Sequence, residues 1–167
     1  MSRRKENHAK QHIVGRFLSG GGWYRRLAGT GANRARDLYL GYGYDATGGA
    51  HLLNLNLSGS GSECPDCDRF RIDFDGSDSE LSYLMQVYDS NGNIATLNGA
   101  ESLAGRILPF HVDFPFADFV QSSAQPIDWN HIDFIVVLFQ TGSYLGGHDF
   151  AVTKITAVPA PPADAVD

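Results

Sequence analysis

The sequence has few of the residues that build helices or cross membranes. Of its 167 residues only 19% are charged, and two are methionine. No stretch approaches the about 18 consecutive apolar residues that a membrane-spanning helix requires. The amino terminus is basic, but no apolar run of about 7–15 residues follows it, so we expect no readable secretion signal in this chain. A helical bundle and a membrane-helix protein are both disfavoured.

Glycine and aromatic residues are abundant instead, with 19 Gly, 10 Phe and 7 Tyr. This composition is typical of short strands joined by tight turns. A chain of this length can bury roughly two-thirds of its unfolded surface within one domain. The sequence therefore predicts a single all-β domain, an antiparallel β-sandwich of the jelly-roll kind.

Alternation of apolar and polar residues predicts two strands with one wet face each, at 50–57 and 68–75. In 132–139 the residues at both alternating sets of positions are apolar, which predicts a central strand whose second face is covered or lines a groove. A phase slip within 149–157 predicts a β-bulge near Lys154.

The Asn-Gly pair at 91–92 predicts a hairpin between strands 81–89 and 93–97. We expect a type I′ turn there, because Asn and Gly tolerate the positive φ that both central positions need. Further along, Pro109 and Pro115 confine the chain between them to an edge strand or an extended crossover.

Charge divides the chain into unequal parts. The segment Met1–Arg36 has a net charge of +8, and the remainder has −14. We therefore expect a basic, glycine-containing arm at 1–35, a sandwich domain at 36–158 and a proline-rich tail at 159–167. The acidic body should repel phosphate backbones, so any nucleic acid would bind only through the arm.

Two cysteines, Cys64 and Cys67, lie in a C-x-x-C motif ahead of a predicted strand. A zinc site normally takes four ligands, so this pair is only half of one. Redox motifs of this spacing open a helix, which the pattern here does not predict. A local disulfide or two inert thiols is the favoured interpretation, with weak metal capture and redox catalysis as the alternatives.

Catalytic motifs are not evident in the sequence. The acidic cluster Asp73, Asp75, Asp78 and Glu80 falls on an exposed strand face and in a turn, where solvent keeps carboxylates ionised. No nucleophile elbow or phosphate-binding glycine loop occurs. We expect the protein not to be an enzyme.

Three segments of the second half resemble the end of galactose-binding-like jelly rolls, such as family-11-type carbohydrate-binding modules. They are FADF (Phe116–Phe119), PIDWNHIDFIVVLF (Pro126–Phe139) and GGHDFAVTKI (Gly146–Ile155). The body from about Arg36, through RDLYL, DRFRIDFDG, VYDSNGN and ITAVPAP, also resembles secreted bacterial proteins that carry a PEP-CTERM sorting tail. The tail at 158–161 has V-P-A-P where that group has V-P-E-P.

The resemblance implies an extracellular or surface-associated module that is non-catalytic and binds carbohydrate or matrix. It also implies a structural calcium ion, for which Asp37 and Asp149 are the candidate ligands. Carbohydrate modules stack sugar rings on exposed aromatic side chains and bind hydroxyls with polar ones. The candidates are Tyr83, Tyr88, Trp129 and Tyr144, with Arg71 and Gln86 as polar partners.

A second hypothesis belongs to another class of protein. A basic arm ahead of a small jelly roll is the plan of small capsid subunits, in which the arm neutralises packaged nucleic acid. Alternatively, the arm adds a strand to the sheet of another copy in a filament. Under this hypothesis the chain is a self-assembling structural subunit whose partners are copies of itself.

Overall fold

Two antiparallel sheets make up the fold, which confirms the predicted all-β sandwich. The computed structural model describes residues 23–28, 37–43, 50, 52–58, 64–77, 81–99, 108–141 and 150–161. Among these residues the only helical element is a single 3-10 turn at Phe116–Asp118. No described helix is long and apolar enough to cross a membrane.

The larger sheet has six strands. In spatial order they are β1 (Trp23–Ala28), β2 (Asp37–Tyr42), β8 (Ile132–Thr141), β4 (Leu81–Asp89), β5 (Ile94–Gly99) and β7 (Val120–Gln121). The smaller sheet has three strands, in the order β6 (Phe110–Pro115), β3 (Cys67–Ser77) and β9 (Phe150–Pro159). Every pair of neighbouring strands is antiparallel.

The core lies between the two sheets, because alternate side chains of each strand point toward the other sheet. Aromatic rings make direct contacts across this layer. Phe74 of β3 meets Phe139 of β8 with ring centroids 5.6 Å apart, and Phe114 of β6 meets Tyr83 of β4 at 4.7 Å. The largest side chains that are almost fully buried are Phe70, Ile72, Phe74, Leu81, Met85, Val87, Phe114, Ile132, Ile135, Val137 and Phe139.

Five of the predicted strands are present with bounds shifted by a few residues, as β3, β4, β5, β8 and β9. The bulge near Lys154 is also present, since Asp73 pairs with Lys154 while the next residue, Phe74, pairs with Val152. Thr153 is therefore the extra residue, and its hydroxyl donates to the carbonyl of Asp73 at 3.1 Å. β6 lies at an edge of its sheet, in keeping with its flanking prolines.

The strand predicted at 50–57 is wrong. In its described residues Leu55 forms an isolated bridge with Ile132, no continuous ladder is present, and Asn54 has φ of 49°. A left-handed residue breaks a strand, and asparagine is one of the few residues that adopts it readily. The alternation still decides burial, because Leu57 is buried while Asn54 is exposed. The segment crosses the end of the sandwich, with Leu53 donating its N–H to the carbonyl of Asp133.

The hairpin between β4 and β5 is present, but the predicted type I′ turn is wrong. Gly92 donates its N–H to the carbonyl of Asp89 at 3.0 Å, so Ser90 and Asn91 occupy the central turn positions. Gly92 has φ of 78°, whereas Asn91 is not among the residues with positive φ. This arrangement is a three-residue loop, in which a type I turn is followed by one left-handed residue.

The structure also places a strand inside the predicted arm. β1 lies within 1–35 and pairs with all six residues of β2, from Trp23 opposite Tyr42 to Ala28 opposite Asp37. This strand has no clear signal in the sequence, because Trp23–Ala28 contains two adjacent arginines and does not alternate with a period of two.

We predict that Gly43→Ala destabilises the protein more than Gly92→Ala does. Both glycines have positive φ, at 92° and 78°, so each alanine variant incurs about 1–2 kcal/mol of backbone strain. A Cβ at Gly92 would meet nothing within 4 Å, but a Cβ at Gly43 would overlap the carbonyl oxygen of Asp133. That overlap should cost a further 1–3 kcal/mol, roughly as overpacking does. Urea denaturation of both variants measures the difference, and equal losses would contradict the prediction.

Candidate functional site

The surface of the six-stranded sheet that faces away from the three-stranded sheet is here called the outer face. It is built from alternate residues of five strands, which the register brings side by side in rows that run across the sheet. Its members are Tyr39, Gly41, Ser82, Leu84, Gln86, Tyr88, Ile94, Thr96, Asn98, Val120, Phe134, Val136, Leu138 and Gln140.

None of these fourteen residues is charged, although the body of the protein is strongly acidic. Two charged positions continue the rows at the β2 edge, because the register places Asp37 opposite Gln140 and Arg26 opposite Tyr39. The face is also not uniformly apolar, because its middle row contains Gln86 and Thr96. The fourteen residues therefore offer uncharged side chains with a polar row through Gln86 and Thr96.

The polar row is held by side-chain hydrogen bonds. The hydroxyl of Tyr88 donates to Oε1 of Gln86 at 3.1 Å. The amide nitrogen of Gln86 lies 3.5 Å from Oγ1 of Thr96, and that oxygen is 3.1 Å from Oγ of Ser122. These contacts fix the Gln86 amide in one orientation, so its donor and acceptor point in defined directions.

Aromatic side chains border the polar row. The rings of Tyr88 and Phe134 are neighbours across β4 and β8, with centroids 6.4 Å apart and planes at 89°. Both are partly exposed, as is Tyr39 on β2. Edge-to-face contact is a favourable geometry for aromatic pairs, so it holds the two rings in place.

The end of β4 that carries Tyr88 is anchored by the buried carboxylate of Asp89, which is only 3% exposed. One of its oxygens accepts the backbone N–H groups of Asn91 and Asn93, at 2.9 and 2.8 Å. The other accepts the side-chain amide of Asn93 at 2.8 Å and the backbone N–H of Asp128 at 3.0 Å. Asp89 thereby joins the β4–β5 turn to the loop that precedes β8.

Burial acts to raise the pKa of Asp89, but the hydrogen bonds from Asn93, Asp128 and Asn91 together lower it below its ordinary value. In the adjoining loop, Nδ1 of His131 lies 2.8 Å from the carboxylate of Asp128 and lowers the pKa of that group. Both carboxylates remain ionised near neutral pH. Their roles in the structure are to fix turns.

The structure brings together two of the six predicted ligand-binding residues, Tyr88 and Gln86. Tyr83 has the opposite parity on β4 and packs into the core against Phe114. Trp129 also packs against the core, where its ring stacks on Phe116 with centroids 4.2 Å apart and planes at 11°. Neither of these two rings belongs to the outer face.

Arg71 lies on the opposite side of the molecule, on the exposed face of the three-stranded sheet. Its guanidinium forms a bidentate ion pair with Asp113, with N–O distances of 2.7 and 2.8 Å, and this pair lowers the pKa of Asp113. Because Arg71 and Tyr88 lie on opposite sides of the sandwich, one ligand could contact both only by wrapping around it. The sixth predicted residue, Tyr144, lies outside the described residues.

The two candidate calcium ligands are not brought together by the described part of the structure. Asp37 is the first residue of β2, and Asp149 lies outside the described residues. Among the residues that are described, no group of three or more His, Cys, Asp or Glu side chains is arranged to hold a metal ion. Calcium binding stays a prediction of the resemblance.

Cys64 and Cys67 are joined by a disulfide at the start of β3. The backbone N–H of Cys67 donates to the carbonyl of Cys64 at 3.1 Å, which closes a tight turn. Cys67 is buried and pairs with Pro159 of β9. The bond therefore lies at the end of the three-stranded sheet, away from the outer face.

Tyr39, Thr96 and Phe134 are members of the outer face that were not nominated from the sequence. A signal for Phe134 is present in the sequence, since apolar residues occupy both alternating sets of positions in 132–139 and the second face of this strand is predicted to be covered or to line a groove. The predicted hairpin places the strand of Thr96 beside that of Gln86, whereas Tyr39 belongs to the face only because β2 pairs with β8.

We predict that Asp89→Asn lowers the free energy of unfolding by about 2–3 kcal/mol at pH 7, because an amide nitrogen would face two N–H donors in a buried site. The pKa of Asp89 is lower in the folded state than in the unfolded state. Its contribution is therefore complete above about pH 4, and it is lost as the pH falls through the folded-state pKa. Urea denaturation of the unmodified protein and of Asp89→Asn measures this effect. The difference between their free energies of unfolding should become smaller from pH 7 to pH 2.5.

Asp75→Asn, at an exposed site, is the matched control and should change the free energy of unfolding by less than about 0.5 kcal/mol.

Comparisons of the chain with protein-family models, with curated proteins and with solved structures give no match. What the outer face is able to bind must therefore be inferred from its own residues. It offers fourteen uncharged residues, partly exposed aromatic rings and an amide whose oxygen accepts the Tyr88 hydroxyl.

Proposed function

We propose that the protein is a non-catalytic, extracellular or surface-associated module that binds carbohydrate on the outer face. The observation that carries the proposal is the pairing of Tyr88 with Gln86, which places a partly exposed aromatic ring beside an oriented amide among uncharged residues of β4, β5 and β8.

The chemistry of this surface suits sugar rings. A sugar has apolar C–H faces, which pack against aromatic rings, and hydroxyl groups, which both donate and accept hydrogen bonds. Tyr88 and Phe134 provide the rings. The Gln86 amide and the hydroxyls of Thr96 and Ser122 can each donate and accept, so they match hydroxyl groups without a charge.

The shape of the surface favours a polymer over a small ligand. Small molecules are usually enclosed in concave pockets. The outer face is one side of a sheet, and its middle row runs across five strands from Gly41 to Val120. Val120 and Gln140 are exposed on this face, whereas Leu138 is buried. An extended polysaccharide lying along these rows would contact several residues at once.

One observation supports the extracellular part of the proposal. The Cys64–Cys67 disulfide is of a kind that persists in oxidising compartments.

We predict that the protein is retained by one or more polysaccharides and that Tyr88→Ala weakens retention at least tenfold. Tyr88→Phe keeps the ring but removes the bond to Gln86, so it should weaken binding by about 2–10-fold. Pull-down on insoluble polysaccharides, followed by affinity electrophoresis with soluble ones, measures both effects.

Thr156→Ala provides the control, because Thr156 pairs with Arg71 on the exposed face of the other sheet. It should bind as the unmodified protein does. Retention by no polysaccharide, with the circular dichroism spectrum intact, would remove the carbohydrate proposal. Binding that Thr156→Ala weakens and Tyr88→Ala does not would assign the site to the other sheet.

A further inference from the structure

We propose that Asn91 is a site of spontaneous modification, at which the side-chain amide is hydrolysed through a cyclic imide and the product loosens the β4–β5 turn. The chain contains two Asn-Gly pairs, at 91–92 and at 98–99. The structure separates the two, because the first lies in an exposed turn and the second lies within β5. The proposal does not rest on carbohydrate binding.

The reaction consumes only water. The backbone nitrogen of Gly92 attacks Cγ of Asn91, so that an N–Cγ bond forms and the Cγ–Nδ2 bond breaks. The amide nitrogen leaves as ammonia, with the proton that the Gly92 nitrogen gives up, and a cyclic imide remains. Water then opens the imide at either of its two carbonyl groups. The product at position 91 is an aspartate or an isoaspartate, whose main chain runs through the side-chain carboxyl carbon.

The surroundings of Gly92 leave room for the imide ring. Asn91 and Gly92 are both exposed, and a Cβ added to Gly92 would meet no atom within 4 Å outside its chain neighbours. Glycine has no side chain to shield its nitrogen, and its backbone reaches conformations that other residues avoid. Within the described part of the chain, no hydrogen bond holds the side-chain amide of Asn91. The attacking nitrogen and the amide carbon are therefore free to approach each other once the turn opens.

Two hydrogen bonds of the turn limit the rate of the attack. The N–H of Gly92 donates to the carbonyl of Asp89 at 3.0 Å, and the N–H of Asn91 donates to Oδ1 of Asp89 at 2.9 Å. The nitrogen of Gly92 can attack only when the first of these bonds is released. Exposed turns and loops open at much lower free energy than the whole domain unfolds. We therefore expect the reaction to proceed while the rest of the protein stays folded.

Asn98 and Gly99 have the same chemistry in a different setting. They belong to β5, where the register places Gly99 opposite Tyr83 of β4. A Cβ added to Gly99 would overlap the ring of Tyr83, and that ring also contacts Phe114 in the core. An imide at this pair requires β5 to separate from β4 beside a ring that is packed in the core. The second pair is therefore an internal control, which reacts only when this part of the sheet opens.

The isoaspartate product disturbs the buried carboxylate of Asp89, which is 3% exposed. Its Oδ1 accepts the backbone N–H groups of both Asn91 and Asn93, at 2.9 and 2.8 Å. An isoaspartate adds one carbon atom to the main chain between these two donors, so they cannot keep their present spacing. A buried acceptor that loses a donor lowers the stability of the fold. We expect the isoaspartate form to unfold at a lower urea concentration than the unmodified protein.

Peptide mass spectrometry of the full chain measures the reaction at both pairs. The protein is incubated at mildly alkaline pH, which favours ionisation of the attacking nitrogen, in one sample folded and in another unfolded by urea. Each modified peptide gains the mass difference between an amide and a carboxyl group, and fragmentation distinguishes isoaspartate from aspartate. In the folded sample position 91 should react at least about tenfold faster than position 98, whereas in urea the two rates should agree within about threefold.

Asn91→Gln is the matched control, because the longer side chain would have to close a larger ring and therefore reacts much more slowly. After the same incubation this variant should keep its original urea midpoint. Asn91→Asp carries the charge of one product without the longer main chain of the other. The purified isoaspartate form should unfold at a lower urea concentration than Asn91→Asp does.

Equal rates at the two pairs in the folded protein would contradict the proposal. So would an unreacted position 91 in the folded sample when both pairs react in urea. An isoaspartate form that unfolds at the same urea concentration as the unmodified protein would overturn the predicted loosening of the turn. Retention on polysaccharides plays no part in these measurements, so their outcome leaves the proposed function untouched.

Discussion

The two apolar faces of β8 are the constraint on which the rest of the structure depends. β8 lies between β2 and β4, and one of its faces presents Ile135, Val137 and Phe139 to the core. Burial of these side chains requires the three-stranded sheet, which supplies the opposing layer. The other face presents Phe134 and Val136 outward, so the same strand also builds the centre of the outer face. Removing β8 would abolish the core and the candidate site together, because both are organised around one strand.

The sequence reveals those parts of the fold that depend on local alternation. β3 and β4 could be predicted because their residues alternate between core and solvent. The segment at 50–57 has equally clear alternation, but the left-handed conformation of Asn54 interrupts the extended backbone, so no strand forms there. Alternation therefore predicts which side chains are buried, and it does not predict whether the backbone finds a continuous partner. The β1 strand shows the reverse case, since its pairing with β2 has no periodic signal in the sequence.

The candidate site was less predictable than the fold because it depends on strand order. Tyr88 and Gln86 are two residues apart on one strand, so the sequence alone places them on the same face. Phe134 joins them only because β8 pairs with β4 in the observed register. Tyr83 lies on the same strand, three residues before Gln86, and therefore points to the opposite face of the sheet. Its ring contacts Phe114 in the core and does not reach the outer face.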